Sequence, residues 1–155
     1  MKKLLLLTGL LTGLVAGTGA VAATAAPEPI GTVTLTLREC GYRIEAVVTG
    51  KAGVNELGNG ATIFTAPGQE VTLTNVKTGE SVTFGITGAS HVNTVSANRV
   101  EITATGRNVL TIPEGDRKGV YLTVGSVTYV LDGRGRQISP FEGTGQVTDI
   151  CALLA

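Results

Sequence analysis

The strongest constraint on the fold is an alternation of apolar residues with threonine. Val33, Leu35 and Leu37 alternate with threonines, and the same two-residue period returns later in the chain. Because successive side chains of a β-strand point to opposite faces, this period predicts strands with one buried and one solvated face. The alternating segments are 32–37, 40–48, 71–74, 82–86, 100–104, 120–124, 127–131 and 147–151. The sequence therefore predicts an all-β, antiparallel protein of about eight to ten strands with no helix of convincing period.

Turn-forming residues separate these segments at short intervals. Glycine supplies the positive φ that tight turns need, and proline presets the corner. The predicted turns are 57–60, 66–69, 77–80, 113–116 and 132–135. The clearest hairpin spans 75–82, where two alternating segments flank Gly79. Short strands with frequent turns predict a β-sandwich of immunoglobulin-like layout.

The N-terminus has the pattern of a secretory signal peptide. Lys2 and Lys3 precede the apolar run 4–15, which passes into small residues. We expect cleavage after Ala22 or Ala25, so that residues 1–25 are removed and residues 26–155 form one β-sandwich domain. The predicted location is extracellular or associated with the cell wall.

The two cysteines, Cys40 and Cys151, predict one internal disulfide. Export places the mature chain in an oxidising compartment, where such a bond persists. Two free buried thiols and a pair of intermolecular bonds remain as alternatives.

The charge of the mature chain excludes several partners. Without Lys2 and Lys3, ten basic residues face twelve acidic ones, a net charge of −2. Nucleic acid and anionic membranes reward a concentrated positive field, so neither is expected as a partner. We also expect no membrane insertion of the mature chain, because no second apolar run approaches about 20 residues.

Metal and nucleophilic chemistry have little support. His91 is the only histidine, and both cysteines are expected to be oxidised, so no metal site or cofactor is predicted. His91 could pair with Ser90 or Ser96 as a general base, but the adjacent Ser90 is a poor partner and the sequence has no nucleophile-elbow motif. We expect 88–91 to be a loop between strands and His91 to be solvated.

Paired carboxylates give the alternative function, a small secreted hydrolase that uses Glu101, Glu114 and Asp149. Asp149 falls on the face of the last segment that should be buried, which indicates a bulge, a position at the rim or a functional acid. The chain has no tryptophan, and its three tyrosines and three phenylalanines mostly occupy core-facing positions. Sugar-binding surfaces usually expose aromatic rings, so this weakens both a glycosidase and a carbohydrate-binding module.

Two surface features have both a functional and an ordinary explanation. A basic cluster at one end of the sandwich would bind an anionic polymer, although solvated turn charges are the preferred explanation; its members are Arg117, Lys118, Arg134 and Arg136. The outward threonines resemble pieces of ice-binding arrays, yet sandwiches twist and threonine is a good exposed strand residue.

Three short stretches resemble uncharacterised secreted β-domain proteins of actinobacteria. They are Cys40-Gly41-Tyr42, Thr105-Gly106-Arg107-Asn108 and the ending Gly143 to Cys151. The resemblance covers nearly all of the mature chain and implies export and one β-domain. This group has no assigned activity, so the resemblance transfers no catalytic residue.

The sequence as a whole predicts a secreted, non-catalytic β-sandwich module. Its predicted partner is a cell-envelope polymer or an extracellular protein, bound through loops or a sheet edge. The prediction depends on fold-level analogy and on the lack of a catalytic motif.

Overall fold

The computed structural model describes residues 26–155, so the predicted signal peptide and both cleavage sites lie outside the described residues. In chain order the elements are β1 (Glu28–Pro29), β2 (Val33–Leu37), β3 (Ile44–Thr49), β4 (Lys51–Glu56), β5 (Ala61–Thr65), β6 (Glu70–Asn75), β7 (Ser81–Gly85), β8 (Ala89–Ser96), β9 (Arg99–Thr105), β10 (Arg107–Ile112), β11 (Gly119–Val124), β12 (Val127–Asp132), β13 (Gln146–Asp149) and the helix α1 (Ile150–Leu153).

The strands form three antiparallel sheets. The six-stranded sheet has the order β1-β4-β5-β8-β9-β12, the four-stranded sheet β2-β3-β6-β7 and the three-stranded sheet β10-β11-β13. The prediction of an antiparallel all-β fold is confirmed, and the layered arrangement is consistent with an immunoglobulin-like layout. The predicted hairpin at 75–82 is also confirmed, since β6 pairs with β7 across it.

The three-stranded sheet lies between the other two sheets. On one of its faces, Val109, Val120 and Leu122 pack against buried residues of the four-stranded sheet. On the other face, Leu110 and Ile112 pack against buried residues of the six-stranded sheet. The strand β10 is therefore buried on both sides, which explains why its sequence, Arg-Asn-Val-Leu-Thr-Ile, shows no alternation with polar residues.

The chain repeatedly crosses from one sheet to another along a single line, which we call the corner. The crossings are at Gly50, Ala66–Gly68, Ile86–Gly88, Gly106 and Gly125–Ser126. Backbone hydrogen bonds continue across the corner. The amide of Gly88 donates to the carbonyl of Arg107 at 2.9 Å, and the amide of Gly125 donates to the carbonyl of Gly106 at 2.8 Å. Glycines predominate at the crossings because the backbones approach too closely there for a side chain.

The number of strands exceeds the predicted eight to ten, because five strands were not recognised from their pattern. These are β1, β4, β5, β8 and β10. The strand β8 corrects the prediction of a loop at 88–91: His91 lies within it, between paired strands on both sides, and is partly exposed. The segment Ala-Ser-His-Val lacks the apolar alternation of the other strands, so only its pairing reveals it.

The last residues form a helix instead of the predicted strand through Cys151. The strand β13 ends at Asp149, whose side chain is exposed and accepts a hydrogen bond from the amide of Ala152 at 3.0 Å. Asp149 thus caps the start of α1, a role that aspartate favours, and this explains its apparent inward phase. The observed exposure of Asp149 agrees with the expected position at the rim.

The predicted disulfide between Cys40 and Cys151 is confirmed, with the two Cα atoms 5.1 Å apart. Cys40 lies in the turn before β3 and Cys151 lies in α1, so neither cysteine is on a strand. The bond holds the helix to the core, where Ile150 and Leu154 are fully buried. Among the described residues, no helix is both long enough and apolar enough to span a bilayer.

Candidate functional site

A cleft of about 490 Å³ opens along the corner, beside the six-stranded sheet. It is lined by Pro27, Asn55, Thr65, Ala66, Pro67, Thr87, Gly88, Ala89, Thr105 and Gly106. Pro27 directly precedes β1, and the other residues come from β4, β5, β8, β9 and the crossings next to them. The cleft therefore exists only because the chain folds over at the corner.

The strand pairing places three of the lining side chains in one row. Thr65 pairs with Ala89, and Ala89 pairs with Thr105, so the three residues lie side by side on neighbouring strands. Beyond this row, a Cβ built on Gly106 would be only 3.0 Å from the Cα of Gly88. This close approach of two backbones keeps side chains out of that part of the lining and leaves room for the cleft.

The chemistry of the lining is polar and uncharged. Three threonine hydroxyls and the amide of Asn55 supply its polar side-chain groups, and no ionisable side chain is among the lining residues. A threonine hydroxyl can donate and accept a hydrogen bond, and that of Thr105 already donates to the carbonyl of Ala89 at 3.5 Å, so it remains available as an acceptor. The Oδ1 atom of Asn55 is buried and has no hydrogen-bond partner, which is a costly arrangement for a buried acceptor. The lining can thus bind a neutral polar group, but it supplies no acid or base.

His91 lies next to the cleft on the same face of the six-stranded sheet. It is two residues beyond Ala89 in β8, a distance of roughly 7 Å along a strand. In the neighbouring strands His91 pairs with Ile63 and Thr103. The opposite face of this sheet is core, because Val92 and Ile102 are buried there. His91 therefore presents its imidazole on the outer face, at the edge of the cleft.

The predicted hydrolase residues do not come together at the cleft. Glu101 lies in β9 on the six-stranded sheet, Glu114 in the loop between β10 and β11, and Asp149 at the cap of α1. None of these three carboxylates lines the cleft. The residues described here include no group of three or more histidine, cysteine, aspartate or glutamate side chains arranged to hold a metal ion.

The two loops that carry the predicted basic cluster are in contact. Glu114 and Arg136 form a backbone bridge between them, and all four basic side chains are exposed. Acidic residues lie in the same loops, and the Arg136 guanidinium contacts Asp132, with Nη2 2.7 Å from Oδ2. Since Arg136 is already paired, its charge is less available to an anionic ligand.

We expect the carboxyl group of Asp132 to titrate below its ordinary range. Burial acts to raise its pKa, but the backbone amides of Arg134 and Arg136 and the Arg136 side chain donate hydrogen bonds that lower the pKa overall. Because the folded-state pKa is lowered, the pair stabilises the fold above the usual aspartate range. This contribution is lost as the pH falls through the lowered pKa.

A carboxyl-carbon NMR titration checks this expectation with a matched pair of variants. Arg136→Gln should move the Asp132 midpoint upward, because it removes the guanidinium. Arg134→Gln should leave the midpoint unchanged, since Arg134 acts through its backbone amide. If the Asp132 midpoint is the same in Arg136→Gln as in the unmodified protein, the Arg136 side chain does not lower the pKa of Asp132.

The described tyrosines do not form an exposed ring surface. Tyr129 is fully buried, and burial raises the pKa of its hydroxyl. Phe141 packs edge-on against both Tyr121 and Tyr129, with ring centroids 5.2 and 5.4 Å apart. For these residues the prediction that the aromatics belong to the core is confirmed.

No protein-family model, curated protein or solved structure matches this chain. The predicted likeness to secreted actinobacterial proteins therefore remains a prediction. The cleft and its surroundings are therefore the features of the molecule that bear on its function.

Sequence reasoning did not identify the cleft residues as a site. A local signal does exist, because Thr87-Gly88 lies just after β7 and Thr105-Gly106 includes the last residue of β9. The same threonine-glycine step also occurs at Thr78-Gly79, within an ordinary hairpin. The step alone cannot distinguish a crossing between sheets from a hairpin, so tertiary contacts were needed.

Proposed function

We propose that this chain is a secreted, non-catalytic β-sandwich module that binds a cell-envelope component or an extracellular protein, and that the corner cleft is its binding site. The observation that carries the proposal is the uncharged polar lining of the cleft, formed by hydroxyl and amide side chains. Such groups orient a ligand, whereas hydrolysis by paired carboxylates needs two acids facing one substrate.

The disulfide supports an extracellular location. Cys40 and Cys151 are both oxidised, and a structural bond of this kind persists in oxidising compartments. Export through the predicted signal peptide is part of the proposal.

A binding experiment with the secreted protein tests the proposal. The protein purified from culture medium is incubated with washed envelope fractions and with proteins of the medium, and retention is measured. We expect retention by one of these, and we expect Ala89→Leu to reduce it at least about tenfold, because the larger side chain occupies the cleft.

The matched control is Ala97→Leu, which adds the same atoms at an exposed turn between β8 and β9. It should leave retention unchanged, and urea unfolding of both variants verifies that each is folded. Failure of the unmodified protein to bind any fraction would refute the proposed function. If Ala89→Leu is retained as well as the unmodified protein, the cleft is not the binding site.

A further inference from the structure

We propose that the cleft and His91 together bind the end of a neutral glycan, with the terminal sugar in the cleft and the next sugar against the imidazole. This inference rests on the proposed function and names the class of ligand. Four observations support it: the uncharged lining, the paired backbone of the sheet at the cleft, the unpartnered side-chain oxygen of Asn55 and the position of His91.

The lining selects against a charged ligand. A cleft of about 490 Å³ is within the size range of small-molecule sites, roughly 300–1,000 Å³. An acidic or basic group entering it would lose hydration without meeting an opposite charge. Glu101 adds a carboxylate on the outer face, two residues from Thr103, which further disfavours acidic sugars. A neutral polyhydroxyl compound has no such penalty.

The backbone at the cleft disfavours an extended peptide. Peptides commonly bind by adding a strand to an open sheet edge, where backbone groups are unpaired. At the cleft, however, the row Thr65–Ala89–Thr105 lies inside the sheet, and these strands are already paired with each other. Side-chain hydroxyls remain as the available groups, and they match the alternating donors and acceptors of a sugar.

Asn55 gives the cleft an acceptor that a sugar hydroxyl can satisfy. Its Oδ1 atom is buried without a partner, so turning the amide about χ2 towards a ligand breaks no hydrogen bond at that oxygen. The χ2 torsion of asparagine has a broad distribution, which makes this turn inexpensive. A ligand hydroxyl could therefore donate a hydrogen bond to Oδ1 without replacing an existing one.

His91 supplies the flat ring that the core aromatics do not provide. Sugar rings stack on planar side chains, and Tyr129 is fully buried. The imidazole lies roughly 7 Å along β8 from Ala89, so a glycan chain that leaves the cleft along β8 passes it. We therefore assign it to the second sugar.

Saturation-transfer NMR on the secreted protein tests the inference with a defined panel of probes. The neutral probes are maltose, cellobiose, lactose and chitobiose, and the acidic comparator is digalacturonate. We expect transfer to at least one neutral disaccharide, with a Kd that changes less than about twofold between low and high salt, because no ionic contact is involved.

Variants then locate the binding surface. Thr105→Val and His91→Ala should each weaken binding about fivefold or more, the value expected for one lost neutral hydrogen bond or ring contact. His91→Phe should retain binding, because it keeps a planar ring. Thr34→Val is the control, since this exposed threonine lies on the outer side of the four-stranded sheet.

The outcomes separate this inference from the proposed function. Envelope or protein retention without transfer to any neutral disaccharide would overturn the glycan inference and leave the proposed function standing. Stronger transfer to digalacturonate, or binding abolished by salt, would also overturn it. Loss of binding in His91→Phe equal to that in His91→Ala would remove the stacking role.

Discussion

Replacing Cys40 and Cys151 together by serine should lower the free energy of unfolding by about 4 kcal/mol. The disulfide joins residues 111 positions apart, so its removal frees a loop that contains most of the described chain. In the chain-entropy model, a loop of about 100 residues corresponds to nearly 5 kcal/mol, and measured values are often smaller. The effect arises mainly in the unfolded state.

Non-covalent contacts should keep the folded structure of this variant recognisable. The hydroxyl of Tyr42 donates to the carbonyl of Cys151 at 2.6 Å, and the side-chain amide of Asn75 donates to the carbonyl of Leu154 at 2.7 Å. These bonds hold α1 in place independently of the sulfur atoms. We therefore expect a native-like circular dichroism spectrum with a lower urea midpoint.

Urea unfolding measures the effect, and Ala152→Ser is its control. This substitution introduces serine next to Cys151 at an exposed position and should change stability by less than about 0.5 kcal/mol. Both proteins need the same urea dependence for the comparison to hold. A loss below about 1 kcal/mol for the double variant would show that the bond constrains the unfolded chain very little.

Replacing Gly50 by alanine should lower the free energy of unfolding by about 3 kcal/mol or more. Gly50 has a φ of +114°, a conformation that residues with a Cβ rarely adopt. A Cβ there would also lie 2.5 Å from the carbonyl oxygen of Gly68, which is backbone and cannot rotate away. Relieving this contact requires the corner itself to move.

Two further glycines separate the conformational cost from the steric cost. Gly60 has a φ of +81° with open space around it, so alanine should cost about 1 kcal/mol there. Gly58 has open space and no positive φ, so alanine should be neutral within about 0.5 kcal/mol. Thermal or urea unfolding of the three variants gives the ranking. A Gly50→Ala variant no less stable than Gly60→Ala would contradict the close packing of the corner.

Strands with apolar residues on the buried face and polar residues on the exposed face were predictable, and strands with other compositions were not. The strands β3, β6 and β12 bury alternate residues, and their sequences show it directly. In contrast, β10 is buried on both faces and β8 carries small and polar residues, so neither has a two-residue period. The sequence pattern of a strand depends on its surroundings, and apolar and polar residues alternate only in strands that are buried on one face.

The helix at the end of the chain was also not predictable from the sequence pattern. The spacing of Val147, Asp149 and Cys151 is that of a strand, yet Asp149 caps a four-residue helix. A helix this short has no periodicity to detect, and it is stabilised by burial of Ile150 and Leu154. The disulfide was nevertheless predictable, because the predicted export and a single pair of cysteines leave few alternatives.

Local chemistry in the sequence determined the half-buried strands, the hairpin turns and the sulfur pair, because each depends on residues near one another or on residue type alone. The tertiary structure decided where the chain turns over at the corner, which sheet lies in the middle and that Asn55, Thr65 and Thr105 meet around one cleft. These features depend on close approaches between backbones far apart in sequence, such as that of Gly88 to Gly106. Such approaches require glycine but do not leave a periodic pattern.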